Sequence, residues 1–292
     1  MWLALSFVFF CLMTMMKAMQ YHILSGGQAA YPRVLSIVVV QNAVTNFIAT
    51  GAGIASYLTM FRMDENVKVT KAAGTFVIAK IGDLIAVWCT LLVSSAILWG
   101  QIVTLRVITI TMLAIVPLAI GILWIVIVLR QKFLTAIYTL ANRTGLGRFS
   151  FVQRFLDALQ FLAEQEGDML VGLLRTAVIC SLVYMALTMA WSFANLRAYS
   201  LAIPISTVIF VSSWMQFISW LPIQVFGGLG VMETSQIYLF SIFGVSVTQM
   251  ATVSVGIRVI LYLSNLFSLL YLPLYKLFQR KETSLVVKDQ ND

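Results

Sequence analysis

Four ionisable residues interrupt long apolar runs in this 292-residue chain: Lys80, Asp83, Glu233 and Arg258. In apolar surroundings a charge persists only where it pairs or faces a polar cavity. Lys80 and Asp83 are i, i+3 neighbours and can pair on one helix. Glu233 and Arg258 can pair across two helices. The four sum to zero charge, so two ion pairs that merely knit a bundle would account for them. The other chemistry open to them is recognition. Arg grips a phosphate through parallel N–H donors, and Glu holds an amine or its partner Arg. Asn42 and Asn46 lie one helical turn apart. They could line the same cavity or form interhelical hydrogen bonds.

Glu233 closes the stretch FGGLGVMET, residues 226–234, with Gly227, Gly228 and Gly230 ahead of it and Pro222 just upstream. An earlier stretch, TGAGIAS at 50–56, carries Gly51 and Gly53. Glycine lets a helix unwind and aim backbone N–H groups inward, and a half-helix N-terminus favours an anion. Close packing through small residues would use the same glycines. The earlier stretch has Ser56 where the later one has Glu233. Architecture therefore explains the glycines better than it explains the glutamate, which points Glu233 toward substrate or gating.

The elements that position these residues follow from composition. The chain is 61% hydrophobic and 10% charged, against roughly 25% charged in a soluble domain. Lipid must be its solvent, and the fold class is all-α, a polytopic membrane helix bundle. Continuous rather than alternating apolar runs exclude a β-barrel. Eight candidate spans fall at 1–24, 34–60, 73–99, 105–129, 169–192, 200–220, 223–243 and 248–275. Basic residues gather after the second span (Arg62, Lys68, Lys71), in 130–168 and in the tail (Lys276, Arg280, Lys281, Lys288). The excess of basic residues inside puts both termini in the cytoplasm of a cell (inner) membrane. It requires 223–243 to cross, or two half-length elements there to add up to a crossing.

The formal charge of +8 reflects those loops rather than nucleic acid. Residues 1–20 lack a basic leader and a cleavage pattern, so they are expected to be a true span. Cys11, Cys89 and Cys180 lie in apolar runs without CxxC spacing and read as free thiols. His22 stands alone, at an interfacial helix end. No metal or cofactor is expected, and no GxxxxGK[ST] motif suggests direct ATP use. Segment 130–168 places Phe155, Leu159 and Leu162 on one face. It reads either as an amphipathic helix on the membrane or as a connector packed on the bundle.

The sequence also repeats itself. VKVTKAAGTFVIAKI at 67–81 and VSVTQMATVSVGIRV at 245–259 share Val67/Val245, Val69/Val247, Thr70/Thr248, Ala73/Ala251 and Val77/Val255. Lys80 falls on Arg258, and upstream GAGI at 51–54 falls on GLGV at 228–231. A single transmembrane domain over 1–292 is expected, with copies near 34–99 and 220–275. The loop of the first copy lies inside and that of the second outside, so the copies are inverted. Inverted repeats with glycine-broken helices point to transporters with a midplane site.

Residues 220–263 resemble the lysylphosphatidylglycerol synthase transmembrane, or flippase-like, family. The resemblance is carried by Pro222, the turn Gly227-Gly228-Leu229-Gly230, Glu233, the Gly244-Val245 step, and Arg258 with Tyr262 nearby. NFIATGAGIASYLTMFR at 46–62 looks like the family's first glycine-rich motif, and KIGDLIAV at 80–87 like its helix with a cation and an aspartate. One departure is that Ala49 and Thr50 stand where the family often has a proline. The resemblance implies a lipid-handling membrane protein. Some members move aminoacylated phospholipid between leaflets, and some relatives are linked to polyprenyl-bound sugars. The soluble aminoacyl-transfer domain of lipid-making members is not expected here.

The function these features favour is a non-enzymatic lipid flippase. It would move a phospholipid or other anionic headgroup through a cavity of Glu233, Arg258, Lys80, Asp83, Asn42 and Asn46. Its broken helices would gate at Gly51, Gly53, Pro222, Gly227, Gly228 and Gly230. The expected partner is a membrane lipid, with a homo-oligomer or a lipid-modifying enzyme as further possibilities. The alternative is a non-transporting scaffold subunit for a lipid- or polyprenyl-glycan-modifying enzyme, with a sealed core. A membrane glycosyltransferase fits poorly, because Glu164, Glu166 and Asp168 lack DxD spacing.

Overall fold

The computed structural model describes residues 1–63, 69–103, 106–107, 109–118, 121, 167–219 and 228–277. Within them the regular structure is helical: α1 (Trp2–Leu24), α2 (Tyr31–Phe47), α3 (Thr50–Arg62), α4 (Val69–Ile97), α5 (Thr109–Leu118), α6 (Gly167–Ala198), α7 (Ile205–Ser219), α8 (Val231–Ser241) and α9 (Val247–Ser268). In lipid a backbone must satisfy its own N–H and C=O groups, which is why apolar runs of this length become helices. Among the described residues, four stretches are long and apolar enough to cross a membrane: Trp2–Leu24, Lys71–Ile97, Met169–Ala198 and Val247–Leu277. Segment 130–168, Pro222 and Gly227 are outside the described residues, apart from the start of α6.

Two of the expected spans are not single helices. The run 34–60 divides into α2 and α3. The break is at Ile48 and Ala49, with Ala49 fully extended (φ −168°, ψ 155°). It precedes Gly51 and Gly53 rather than coinciding with them. In the last turn of α2, the Asn46 side-chain amide donates to the Asn42 carbonyl at 2.9 Å, a back-bond that competes with continued helix. In 223–243 the described helix is α8, whose 11 residues rise about 16 Å and cannot cross alone.

The glycines divide by role. A Cβ on Gly53 would collide with the Thr45 side chain and come within 3.1 Å of the Gln41 carbonyl, so this glycine lets α3 lie against α2. Gly51 faces open space. Gly228 and Gly230 hold φ of 80° and 84°, a left-handed turn that other L-residues resist. Gly82 on α4 also permits close approach: a Cβ there would sit 2.8 Å from the Ala177 backbone of α6.

Apolar packing forms two clusters. One contains Tyr21 of α1, Val34 of α2, Tyr57 and Phe61 of α3, Ile78 of α4 and Ala177 of α6, with Phe76 packed on it. The other contains Leu91 near the end of α4 and Leu98 just beyond it, Leu196 of α6, Phe210 and Trp214 of α7, Phe240 of α8 and Met250 of α9. Helix α4 therefore runs from the first cluster to the second. Helix α9 begins in the second, and the chain beyond it returns to the first end, where the Tyr271 hydroxyl donates to the Pro32 carbonyl. The two long helices run in opposite directions. Leu3, Phe7, Val183, Val255 and Leu263 are exposed on the outer surface, where lipid tails would cover them.

Candidate functional site

Asp83 lies 14 residues from either end of α4, about 21 Å at 1.5 Å per residue. A carboxylate so deep needs partners on every side, and it has them. Lys17 of α1 donates to both carboxylate oxygens, at 2.8 and 2.7 Å, and also to Gln20 Oε1 at 2.8 Å. Ser181 of α6 donates to Asp83 Oδ1 at 2.8 Å. Gln20 Nε2 donates to Ser181 Oγ at 2.8 Å and to the Ala177 carbonyl at 3.1 Å. All three ammonium protons of Lys17 are thereby used, and α1, α4 and α6 are tied together at mid-depth.

Lys17 stands only seven residues from the end of α1, yet its long side chain turns inward rather than reaching an interface. Its side chain is 10% exposed, because the partner that holds it comes from a helix 66 residues away. Lys80 is the minor partner of Asp83, at 3.4 Å, and its side chain remains 40% exposed toward the interior cavity. The signal in the sequence was Lys17 and Gln20, two polar groups at i, i+3 spacing in an otherwise apolar helix.

The second ion pair forms as the sequence suggested. Arg258 Nε donates to Glu233 Oε1, and Nη2 reaches the Gly228 carbonyl at 3.4 Å. Glu233 has a further task. Its Oε2 accepts the Gly230 N–H at 2.7 Å, so the carboxylate caps the first turn of α8 as an N3 residue should. Glu233 is thus not free of architectural duty, which the comparison with Ser56 could not show. Ser254 of α9 donates to Gln236 Oε1 at 2.7 Å and ties the same two helices again.

Between the two apolar clusters lies a cavity of about 270 Å³. Lys17, Lys80, Asp83, Asn42, Asn46 and Arg258 all line it, with Gln41, Trp191 and Gln216. Five of the six predicted binding residues therefore converge on one space. The sixth, Glu233, lines an adjoining cavity of about 160 Å³. Arg258, Met232, Leu261, Trp191, Gln216 and Ser219 belong to both walls. Asn42 Nδ2 makes a long contact of 3.5 Å to Thr14 Oγ1. Trp191 Nε1 is buried without a hydrogen-bond acceptor.

The electrostatics favour an anion. The two cavities expose three cations (Lys17, Lys80, Arg258) to two carboxylates (Asp83, Glu233) among the described residues. Counting Lys17 replaces the neutral sum expected from sequence with an excess of one positive charge. Thr50 at the start of α3 and Met232 in the first turn of α8 also line the cavity. The N-terminus of α3 thus adds partial positive charge, whereas that of α8 is already met by Glu233. Among the described residues no group of three His, Cys, Asp or Glu side chains could hold a metal. The three cysteines are free, and only Cys180 is buried.

These features define a helical membrane protein built around a mid-depth, cation-rich polar cavity. The chain belongs to the family of the lysylphosphatidylglycerol synthase TM region, which matches residues 1–268. That membership ties it to lipid modification or transport. Neither a curated protein nor a solved structure matches the chain.

Proposed function

We propose that this protein is a lipid flippase-like transporter, not an enzyme, in a cell inner membrane with both termini cytoplasmic. It carries the headgroup of an anionic phospholipid through the cavity between its two apolar clusters while the acyl chains stay in the bilayer. One observation carries this reading most. Lys80 and Arg258 occupy matching places in the two sequence copies, sit on antiparallel helices, and line one cavity at mid-depth. That is what an inverted repeat with a midplane site would produce. The short helices α3 and α8, each directly ahead of a long helix, support the same symmetry. A volume near 270 Å³ is at the small end for ligand pockets, suited to a headgroup rather than a whole lipid. A sealed scaffold would have no use for such a cavity.

The test is leaflet-specific labelling of fluorescent phosphatidylglycerol in vesicles reconstituted with the purified protein. Lys80→Gln and Arg258→Gln are expected to slow translocation at least tenfold. Translocation at the wild-type rate in both variants would sink the site assignment.

A further inference from the structure

The wall between the two cavities contains an anion site that is already filled. Arg258 offers its guanidinium there, with the Gly230 N–H a few atoms away at the start of α8. One carboxylate, Glu233, takes both donors, using one oxygen for each. These donors, a guanidinium and a helix N-terminal N–H, are the pair that recognises a phosphate oxyanion. Arg258 faces both cavities, whereas Glu233 faces only the smaller. An anion arriving from the larger cavity therefore reaches the same guanidinium that Glu233 holds and competes with it.

Resting on the anionic-lipid reading of the cavity, we infer that Glu233 is an internal stand-in for the phosphate of the substrate. It keeps the wall closed when no headgroup is present. A phosphate on Arg258 displaces the carboxylate, breaks the ionic link between α8 and α9 while leaving the Ser254–Gln236 hydrogen bond as the remaining tie, and joins the two cavities. Arg258 keeps an anionic partner throughout, while the released Glu233 carboxylate stays charged and turns to the smaller cavity that it already lines. It makes no covalent change. It also separates the two ion pairs by role. Lys17 and Asp83 satisfy each other through partners from three helices. Glu233 and Arg258 are bridged by side chains 14% and 10% exposed, at a cavity wall.

A site that competes with its own side chain binds ligand more weakly by the fraction of time it is open. Glu233→Gln keeps an acceptor for the Gly230 N–H but removes the competing charge. Purified protein in detergent would be titrated with dioleoylphosphatidylglycerol, dioleoylphosphatidylcholine or inorganic phosphate, and binding read by native mass spectrometry. With the wall closed about nine times in ten, Glu233→Gln should bind phosphatidylglycerol about tenfold tighter than wild type. Arg258→Gln should lose that preference. The double variant Glu233→Gln/Arg258→Gln, which leaves no unpaired charge, should fold like wild type and also lack the preference. A wild-type preference lost in Arg258→Gln yet no tighter in Glu233→Gln overturns the stand-in alone. No preference for phosphatidylglycerol over phosphatidylcholine in wild type removes the lipid reading, and the stand-in with it. Tight binding of inorganic phosphate without phosphatidylglycerol overturns the assignment to a lipid headgroup.

Discussion

Lys17 and Asp83 carry a clear stability consequence, because each is buried against the other. Removing one member of a buried pair strands the other, which costs about 3–5 kcal/mol, whereas an apolar replacement of both is far milder. Asp83→Asn should therefore lower the thermal midpoint in detergent sharply, and Lys17→Met/Asp83→Leu should recover much of the loss. Equal damage from the single and double variants would show that the pair does more than hold helices together. Lys80, partly exposed beside the same aspartate, should tolerate Gln with little change in that midpoint while losing transport. From sequence, the deep charges on the α4 and α9 helices were legible because apolar runs make them conspicuous. Lys17 was not, because spacing within one helix cannot reveal a partner 66 residues away. The capping of α8 by Glu233 was likewise hidden, since the start of that helix depends on a turn at Gly228 and Gly230.

Among the elements, the short helices α3 and α8 both begin close to a glycine pair, but the glycines serve them for different reasons. Gly230 is required by backbone conformation, so Gly230→Ala should cost about 1–2 kcal/mol through the left-handed geometry alone. Gly53 is required by space. Gly53→Ala must displace Thr45 and should cost about 1–3 kcal/mol, whereas Gly51→Ala, facing open space, should leave stability unchanged or slightly raise it. Thermal unfolding of the three variants in detergent distinguishes these cases, and an unaffected Gly53→Ala would show that α2 and α3 are not in close contact. The glycine pattern announced that both spans are interrupted. It did not place the first interruption, because the break at Ile48 and Ala49 uses neither glycine nor proline.

For the whole molecule, the cavity is flanked by two apolar plugs, and the proposed transport would need each to open in turn. The first closes around Tyr57 and Phe61, the second around Phe210 and Phe240. Spin labels at exposed Ile23 and Met63 report the first end, and labels at Ile205 and Val247 the second. Phosphatidylglycerol should lengthen one distance while shortening the other in pulsed electron-resonance measurements. Two distances that stay fixed through lipid addition would favour a static role. The bundle class followed from composition alone, since so little charge leaves no soluble alternative. The antiparallel course of α4 and α9 was foreshadowed by counting basic loops. The plugs were not, because they join residues from five or more helices.

The contact of Gly82 with the Ala177 backbone has a mechanical consequence. Nothing compressible lies between the two helices at that point, so it can serve as a fulcrum. The α4 arm on its far side is 15 residues long, about 22 Å. Were α4 to tilt against α6 by about 10° on this pivot, its tip would swing by roughly 4 Å on that lever, comparable to the width of a hydrocarbon chain. The Lys17–Asp83 knot lies one residue from the fulcrum and would hardly move. This buried ion pair is thus placed where rocking would disturb it little.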